Sequence, residues 1–162
     1  MNMSEMDKNV FDLIGKQWML VGAEKNGKIN AMTASWGGLG IMWGKKVAFV
    51  FIRESRYTKE FVDEKKTFSL SFFGEEYRKM LNYMGTVSGR DEDKISQAGL
   101  HASLNQDAPV FEEAERTFIC RKMYAQEMKE ECFTDKEAVE RWYGDGNYHT
   151  MYVAEILDVI EK

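Results

Sequence analysis

Arg53-Glu54-Ser55-Arg56-Tyr57-Thr58 places two guanidinium groups and three hydroxyls where an apolar run gives way to a helical pattern. Free backbone N–H groups and the positive end of a helix dipole gather at such a junction, so the segment suits a phosphate. Three other clusters share this polar texture. Asn30-Ala31-Met32-Thr33-Ala34-Ser35-Trp36 runs small hydroxyl residues into a tryptophan, and glycines follow at 37, 38 and 40. On a strand, Thr33 and Ser35 face one side, Ala34 and Trp36 the other. Ser88-Gly89-Arg90-Asp91-Glu92-Asp93-Lys94 is a glycine-hinged loop with cations toward both ends. Gly144-Asp145-Gly146-Asn147-Tyr148-His149 delivers a histidine to the start of a strand.

Each cluster also has a plain structural reading. Ser55 and Thr58 suit helix capping, Arg56 a solvated charge, Thr33 and Ser35 a strand surface. Trp36 suits a core, residues 88–94 a solvated loop, and His149 a hydrogen-bonded structural role. Four such clusters together point to a phosphorylated ligand, which the residue types alone do not identify. Other chemistries drop out. There is no G-x-G-x-x-G, no G-x-x-x-x-G-K-[ST] and no G-x-S-x-G. With only His101 and His149, a hydrolytic triad is not expected. Cys120 and Cys132 form no zinc pattern, so no metal is expected and both thiols read as buried or idle.

The totals set the frame for these clusters. A chain of 162 residues, 44 % hydrophobic and 30 % charged, fits one domain spanning 1–162 with a real core. A net charge of −5 offers no footprint for nucleic acid or anionic membrane, so phosphate binding must come from a local cluster. No apolar run reaches a membrane span, and the acidic opening M-N-M-S-E-M-D is no signal peptide, so a cytoplasmic location is expected.

Strands are predicted at Trp18–Ala23 and Lys28–Trp36, joined by an Asn26-Gly27 turn. Gly37–Gly40 then reads as a break, and 43–46 as another turn. Val47–Arg53 is β-prone and apolar enough for a central strand. Ser55 is expected to cap a helix reaching Lys65, with Tyr57, Phe61 and Val62 on its apolar face. Thr67–Phe73 alternates as a strand. Helices follow over Glu75–Met84, ended by Gly85, and over Asp91–Ala98, stopped by Gly99. Thr117–Gln126 reads as a strand, Asp135–Tyr143 as a helix and Tyr148–Ile160 as a long closing strand. Six or so strands with helices inserted between them, and no regular βαβ alternation, predict a mainly β antiparallel barrel.

M-T-A-S-W-G-G-L-G, V-A-F-V-F-I-R-E-S-R-Y-T, G-T-V-S-G-R-D-E-D-K and Y-H-T-M-Y-V-A-E-I together resemble the flavin reductase-like family. Its members are FMN-binding split barrels, among them flavoredoxins and the reductase components of two-component monooxygenases. The resemblance runs from about Ile14 to Ile160. It implies a homodimer of split β-barrels with FMN near the subunit interface. Carried over by residue, Asn30, Thr33, Ala34, Ser35 and Trp36 lie along the flavin, and the glycines after them let the backbone turn away from its ring. Arg53, Ser55, Arg56, Tyr57 and Thr58 hold the phosphate and ribityl chain. Arg90 and Lys94 match the family's S-G-R-D-x-D-K loop, with Lys94 as a further flavin contact. His149 is the expected catalytic group, beside the approach of nicotinamide or substrate. This chain departs from the family pattern at Asn147, Thr150 and Ala154, where Asp, Arg and Gly are common.

The activity implied is an FMN-dependent oxidoreductase taking hydride from NADH or NADPH and passing electrons to free flavin or a protein redox partner. Two alternatives stay open: a flavoredoxin-like carrier without direct NAD(P)H activity, and a non-catalytic FMN-binding module.

Overall fold

The computed structural model describes residues 6–162, so the opening Met1–Glu5, part of the acidic stretch read against a signal peptide, lies outside it. A short α1 (Val10–Asp12), capped by the Asn9 side chain, continues as a π-helical turn over Leu13–Gln17. β1 (Met19–Lys25) and β2 (Lys28–Ala34) form the expected hairpin. Asn26 and Gly27 both take positive φ, 52° and 80°, as in the type I′ turn whose twist matches paired strands.

β3 (Gly37–Met42) and β4 (Lys45–Arg53) make a second hairpin across Trp43 and Gly44, again with positive φ. This corrects the expected break at Gly37–Gly40, which is an edge strand. The reason lies on its neighbour. A Cβ at Gly37 would sit 2.6 Å from the Phe49 carbonyl oxygen, and the Phe49 ring packs over Gly38 and Gly40. The close approach these glycines permit is to Phe49.

The chain continues through α2 (Tyr57–Glu64), β5 (Thr67–Phe72) and a 3₁₀ turn at Glu75–Tyr77 that runs into α3 (Arg78–Thr86). Gly85 therefore lies in the last turn of α3 and does not end it. After α4 (Lys94–Gln97) comes a hairpin of β6 (Ala102–Asn105) and β7 (Ala108–Phe111), which the sequence reading lacks because β6 is polar-looking and wholly exposed. β8 (Arg116–Glu127), α5 (Lys136–Tyr143) and β9 (His149–Glu161) complete the fold close to their expected positions.

Seven strands form one antiparallel sheet in the order β2-β1-β5-β8-β9-β4-β3. Its two edges, β2 and β3, are joined by Ser35 and Trp36 alone. Two extended residues span only about 7 Å, so the sheet must curl until its edges meet, giving an antiparallel split barrel. β4 lies next to an edge rather than in the middle, yet Val47, Ala48, Val50 and Ile52 are fully buried.

One core fills the barrel, with Met19, Val21, Phe68, Phe72, Phe118 and Tyr152 among its side chains. A second lies outside β1 and β2, where Leu20 and Ala31 meet Leu81 and Met84 of α3, Ile95 of α4 and Phe111 of β7. β1 is thus covered on both faces, and α3 and α4 are fixed beside β2. That packing positions the site. Cys120 is buried and Cys132 exposed. No described helix is long and apolar enough to cross a membrane.

Candidate functional site

β2, the start of α2 and the end of α3 converge on two basic side chains. Lys94, only 2 % exposed, donates from Nζ to the carbonyls of Met84 (2.8 Å) and Val87 (2.9 Å). Arg56 donates from Nη1 to the Gly85 carbonyl (2.9 Å), while its Nη2 is buried with no hydrogen-bond partner. All three acceptors lie at the C-terminal end of α3, whose dipole is negative there. Among the described residues neither cation pairs with a carboxylate. Burial pushes Lys94 down to about 8, and the nearby Arg56 charge adds to the shift. Burial lowers Arg56 as well. A buried ammonium beside a half-buried guanidinium with a buried donor to spare suits an anion.

The space beside them has the matching shape. A cavity of about 100 Å³ is bounded by Ser55–Thr58, by Thr86–Gly89 and by Lys94. No side chain caps α2, whose N-cap residue is Arg56; the Lys59 N–H donates to the Arg56 carbonyl, which leaves the N–H groups of Tyr57 and Thr58 at this end. Asn30, buried next to this lining, donates from Nδ2 to Thr58 Oγ1 (2.9 Å). A Cβ at Gly89 would overlap Asn30 Oδ1, so only glycine lets the 88–94 loop approach this closely.

Two expectations need correction here. Ser55 is not the helix cap: its hydroxyl accepts from Asn147 Nδ2 (2.8 Å) and its N–H donates to Asn147 Oδ1 (3.3 Å). An amide is suited to both bonds, whereas the aspartate common at this position in the family has no donor. Nor is Arg56 a solvated charge, since α3 covers it.

The other end of the site is aromatic. Arg53 and His149 are neighbours across β4 and β9. Arg53 donates to the carbonyls of Asn147 (2.7 Å) and Trp142 (3.0 Å), tying the end of α5 to β4. His149 is buried, and its Nδ1 lies 2.8 Å from Tyr143 Oη. Burial, with the Arg53 charge beside it, lowers His149 to about 4, so the ring is neutral at pH 7. The phenol's other neighbour is Met128 Sδ at 3.6 Å. With the phenol donating to Nδ1, the better acceptor, the ring keeps its proton on Nε2.

Trp36, 39 % exposed, meets His149 at 5.1 Å and Trp142 edge-on at 4.9 Å. Trp142 is absent from the sequence-based site, although the predicted helix ends only a few residues before His149. That spacing was the available signal.

The expected residues thus gather at two ends. Ser55, Arg56, Tyr57, Thr58 and Lys94 line the cation cavity, with Asn30 bonded to Thr58 beside it; Trp36, Arg53 and His149 form the aromatic recess. The Ser55–Asn147 bonds join them, and β2 runs from Asn30 toward Trp36, about 20 Å of extended chain. Thr33, Ala34 and Ser35 lie half-buried along that path, with the Thr33 hydroxyl donating to the Leu81 carbonyl. Arg90 reaches over Tyr57 and donates to the Ser55 carbonyl and to Glu60.

Comparison with known proteins gives this geometry its context. The model of the flavin reductase like domain matches residues 11–162. No curated protein matches the chain. Among solved structures, flavoredoxin from Methanosarcina acetivorans is similar with a TM-score of 0.71 at 23 % identity, covering 98 % of this chain and 74 % of that one. Flavoredoxin of Desulfovibrio vulgaris (Miyazaki F) gives 0.71 at 22 % identity over 100 % and 77 % of the two chains. An FMN-binding protein from Thermus thermophilus with bound p-hydroxybenzaldehyde gives 0.70 at 20 % identity over 100 % and 82 %. At these identities the likeness is one of fold. The family match, spanning all but the first ten residues, makes this chain a member of the flavin reductase like domain family.

Proposed function

We propose that this chain binds FMN and serves as an oxidoreductase that takes electrons from NADH or NADPH and passes them to an acceptor. The observation that carries the reading is the Arg56–Lys94 pair: a buried ammonium and a half-buried guanidinium with no carboxylate partner among the described residues, the latter with a buried, unpartnered Nη2, beside the start of α2. Such a cavity suits a terminal phosphate. Arg56, Lys94, Ser55 and Thr58 would hold the phosphate, and β2 from Thr33 to Trp36 would flank the ring. Bound FMN would supply two-electron acceptance from a hydride donor and onward transfer.

The chain's own residues do the placing. Arg53 fixes the α5 corner, and Trp36 offers an aromatic wall beside it. His149, neutral at working pH, acts as a hydrogen-bonding and positioning group rather than an imidazolium acid. A homodimer belongs to this reading. The exposed side chains of Ile41, Met42, Trp43 and Tyr124 form an apolar surface for a second copy, with Trp43 and Tyr124 6.2 Å apart.

A second reading, a flavoredoxin-like carrier, is favoured by one contact: Trp142 already leans on Trp36 in front of His149, narrowing the donor's approach. An absorbance spectrum after FMN addition and removal of excess, followed by anaerobic NADH and NADPH, decides. Retained flavin bands that bleach within seconds support the reductase. Bleaching by dithionite alone supports the carrier, and a colourless protein refutes both.

A further inference from the structure

Gly89 borders two spaces of unlike charge. On one side is the cation cavity of about 100 Å³. On the other is an open recess of about 540 Å³ edged by Lys28, Arg90, Asp91, Glu92 and Asp93. Arg90 spans from this loop to α2 by three contacts. Nη1 donates to the Ser55 carbonyl (3.1 Å), Nη2 to Glu60 Oε2 (2.9 Å), and the guanidinium lies 4.8 Å from the Tyr57 ring centre. With the Arg90 charge paired to Glu60, Lys28 faces three carboxylates in the recess. Its nearest contacts are the Gly89 carbonyl and the Tyr57 ring. Glu92 accepts from Tyr83, and Asp93 caps α4 by accepting from the Ser96 N–H. A cationic cul-de-sac is therefore strapped off from an anionic recess.

We infer that the Arg90 strap and the acidic recess behind it restrict this site to phosphate monoesters. A terminal phosphate enters the cavity with the strap closed. A second phosphate directed to the Gly89 side would have to part Arg90 from Ser55 and Glu60 and enter a space lined by like charge. For flavins this means FMN over FAD, which rests on the proposed function; for bare anions it does not. Arg90 is thereby assigned as a specificity residue rather than a direct phosphate ligand. The Arg90–Glu60 pair is too exposed, at 46 % and 48 %, to matter much for folding, so Glu60 can be changed without disturbing the cavity.

The test is calorimetric titration of the full chain, first with orthophosphate and pyrophosphate, then with FMN and FAD. Wild type should prefer orthophosphate and FMN by about tenfold or more. Glu60→Gln should narrow both gaps by up to about fivefold, the range of an exposed pair, with orthophosphate and FMN affinity unchanged. Arg90→Ala, which removes the whole strap, should narrow them further. Equal binding of mono- and diphosphate in wild type overturns the inference, as do gaps that neither variant changes. Selectivity for orthophosphate without any FMN binding upholds the strap and removes the flavin reading instead.

Discussion

The two ends of the site are built on opposite terms. At the cation end, Lys94 is buried and Arg56 half-buried beside carbonyls, with one donor unpartnered and no carboxylate paired to either among the described residues. At the aromatic end, His149 and Arg53 are neutral or fully engaged, bonded to Tyr143, Asn147 and Trp142. One end is incomplete without a ligand and the other is complete by itself. The difference teaches where affinity and orientation come from. An anion relieves a desolvated charge that the fold leaves exposed to cost, so binding strength should reside at the cation end. The aromatic end should govern which ring approaches, with little effect on affinity for the phosphate.

The largest effect should come from Arg56→Met. Losing charge-assisted hydrogen bonds to phosphate should weaken FMN binding by about 100-fold. The ligand-free protein should melt no lower than wild type, because a half-buried cation with a buried, unpartnered donor has been replaced by an apolar chain of similar length. Titration and thermal melts read both. A large drop in ligand-free melting temperature would make Arg56 a structural group and blur the contrast between the ends.

Next is the pH response. The Lys94 ammonium titrates at about 8 in the ligand-free fold, and phosphate binding favours its charged form. FMN affinity should therefore be full below that point and fall by about tenfold per pH unit above it, until the bound-state pKa is reached. A phosphate monoester becomes dianionic above about pH 6, so affinity should peak between about 6 and 8. Lys94→Met should lower affinity and flatten the alkaline limb. A limb that persists in this variant would assign the titration elsewhere.

How much of this was legible follows the same division. The hairpin at Asn26-Gly27 and the turn at 43–46 were readable because positive φ at successive turn residues leaves a local composition, though the strand before the second turn was not. That residues 53–58 sit at a helix start was readable because such a junction carries its own signals. Their state was not. Ser55 looks like a cap, but its partner Asn147 is 92 residues away. Nothing local to Lys94 says that α3 buries it. The glycine run at 37–40 looks like a break until Phe49, on the neighbouring strand, fills the space above it. Trp142 was hidden for a related reason. Its helix belongs to neither core, and long-range contacts through Arg53, Tyr143 and Trp36 bring its last turn to His149.

Trp142→Ala should produce a smaller and separable change. The ring is 43 % exposed and contacts Trp36, so its removal empties no core. Loss of one aromatic contact should raise KM for the nicotinamide donor about three- to tenfold, with FMN affinity unchanged and Trp142→Phe largely restoring KM. Steady-state kinetics beside FMN titration separates the two. Weaker FMN binding in Trp142→Ala would mean that the aromatic end also carries affinity.

The smallest effect is on acid stability, and it tests whether the aromatic end is as self-contained as its bonds suggest. His149 has a folded-state pKa of about 4, below the 6.5 of a free histidine. As pH falls from 6.5 toward 4, the unfolded chain takes up a proton that the folded one refuses, so stability drops across that window and is full above it. Glu24 and Glu155, held low by the Gly27 N–H and by Arg121, add their own losses in the more acidic range, as those carboxylates protonate. Those losses are common to wild type and His149→Gln and cancel in their difference. The variant keeps a partner for the Tyr143 hydroxyl but cannot titrate, so its melting temperature should fall less than that of wild type between pH 7 and 4.5. A gap of a few degrees is expected, since about 1 kcal/mol moves the midpoint of a domain this size by about 2–4 °C. Parallel curves would mean that His149 reaches its proton in the folded state, as a histidine open to solvent and donor would.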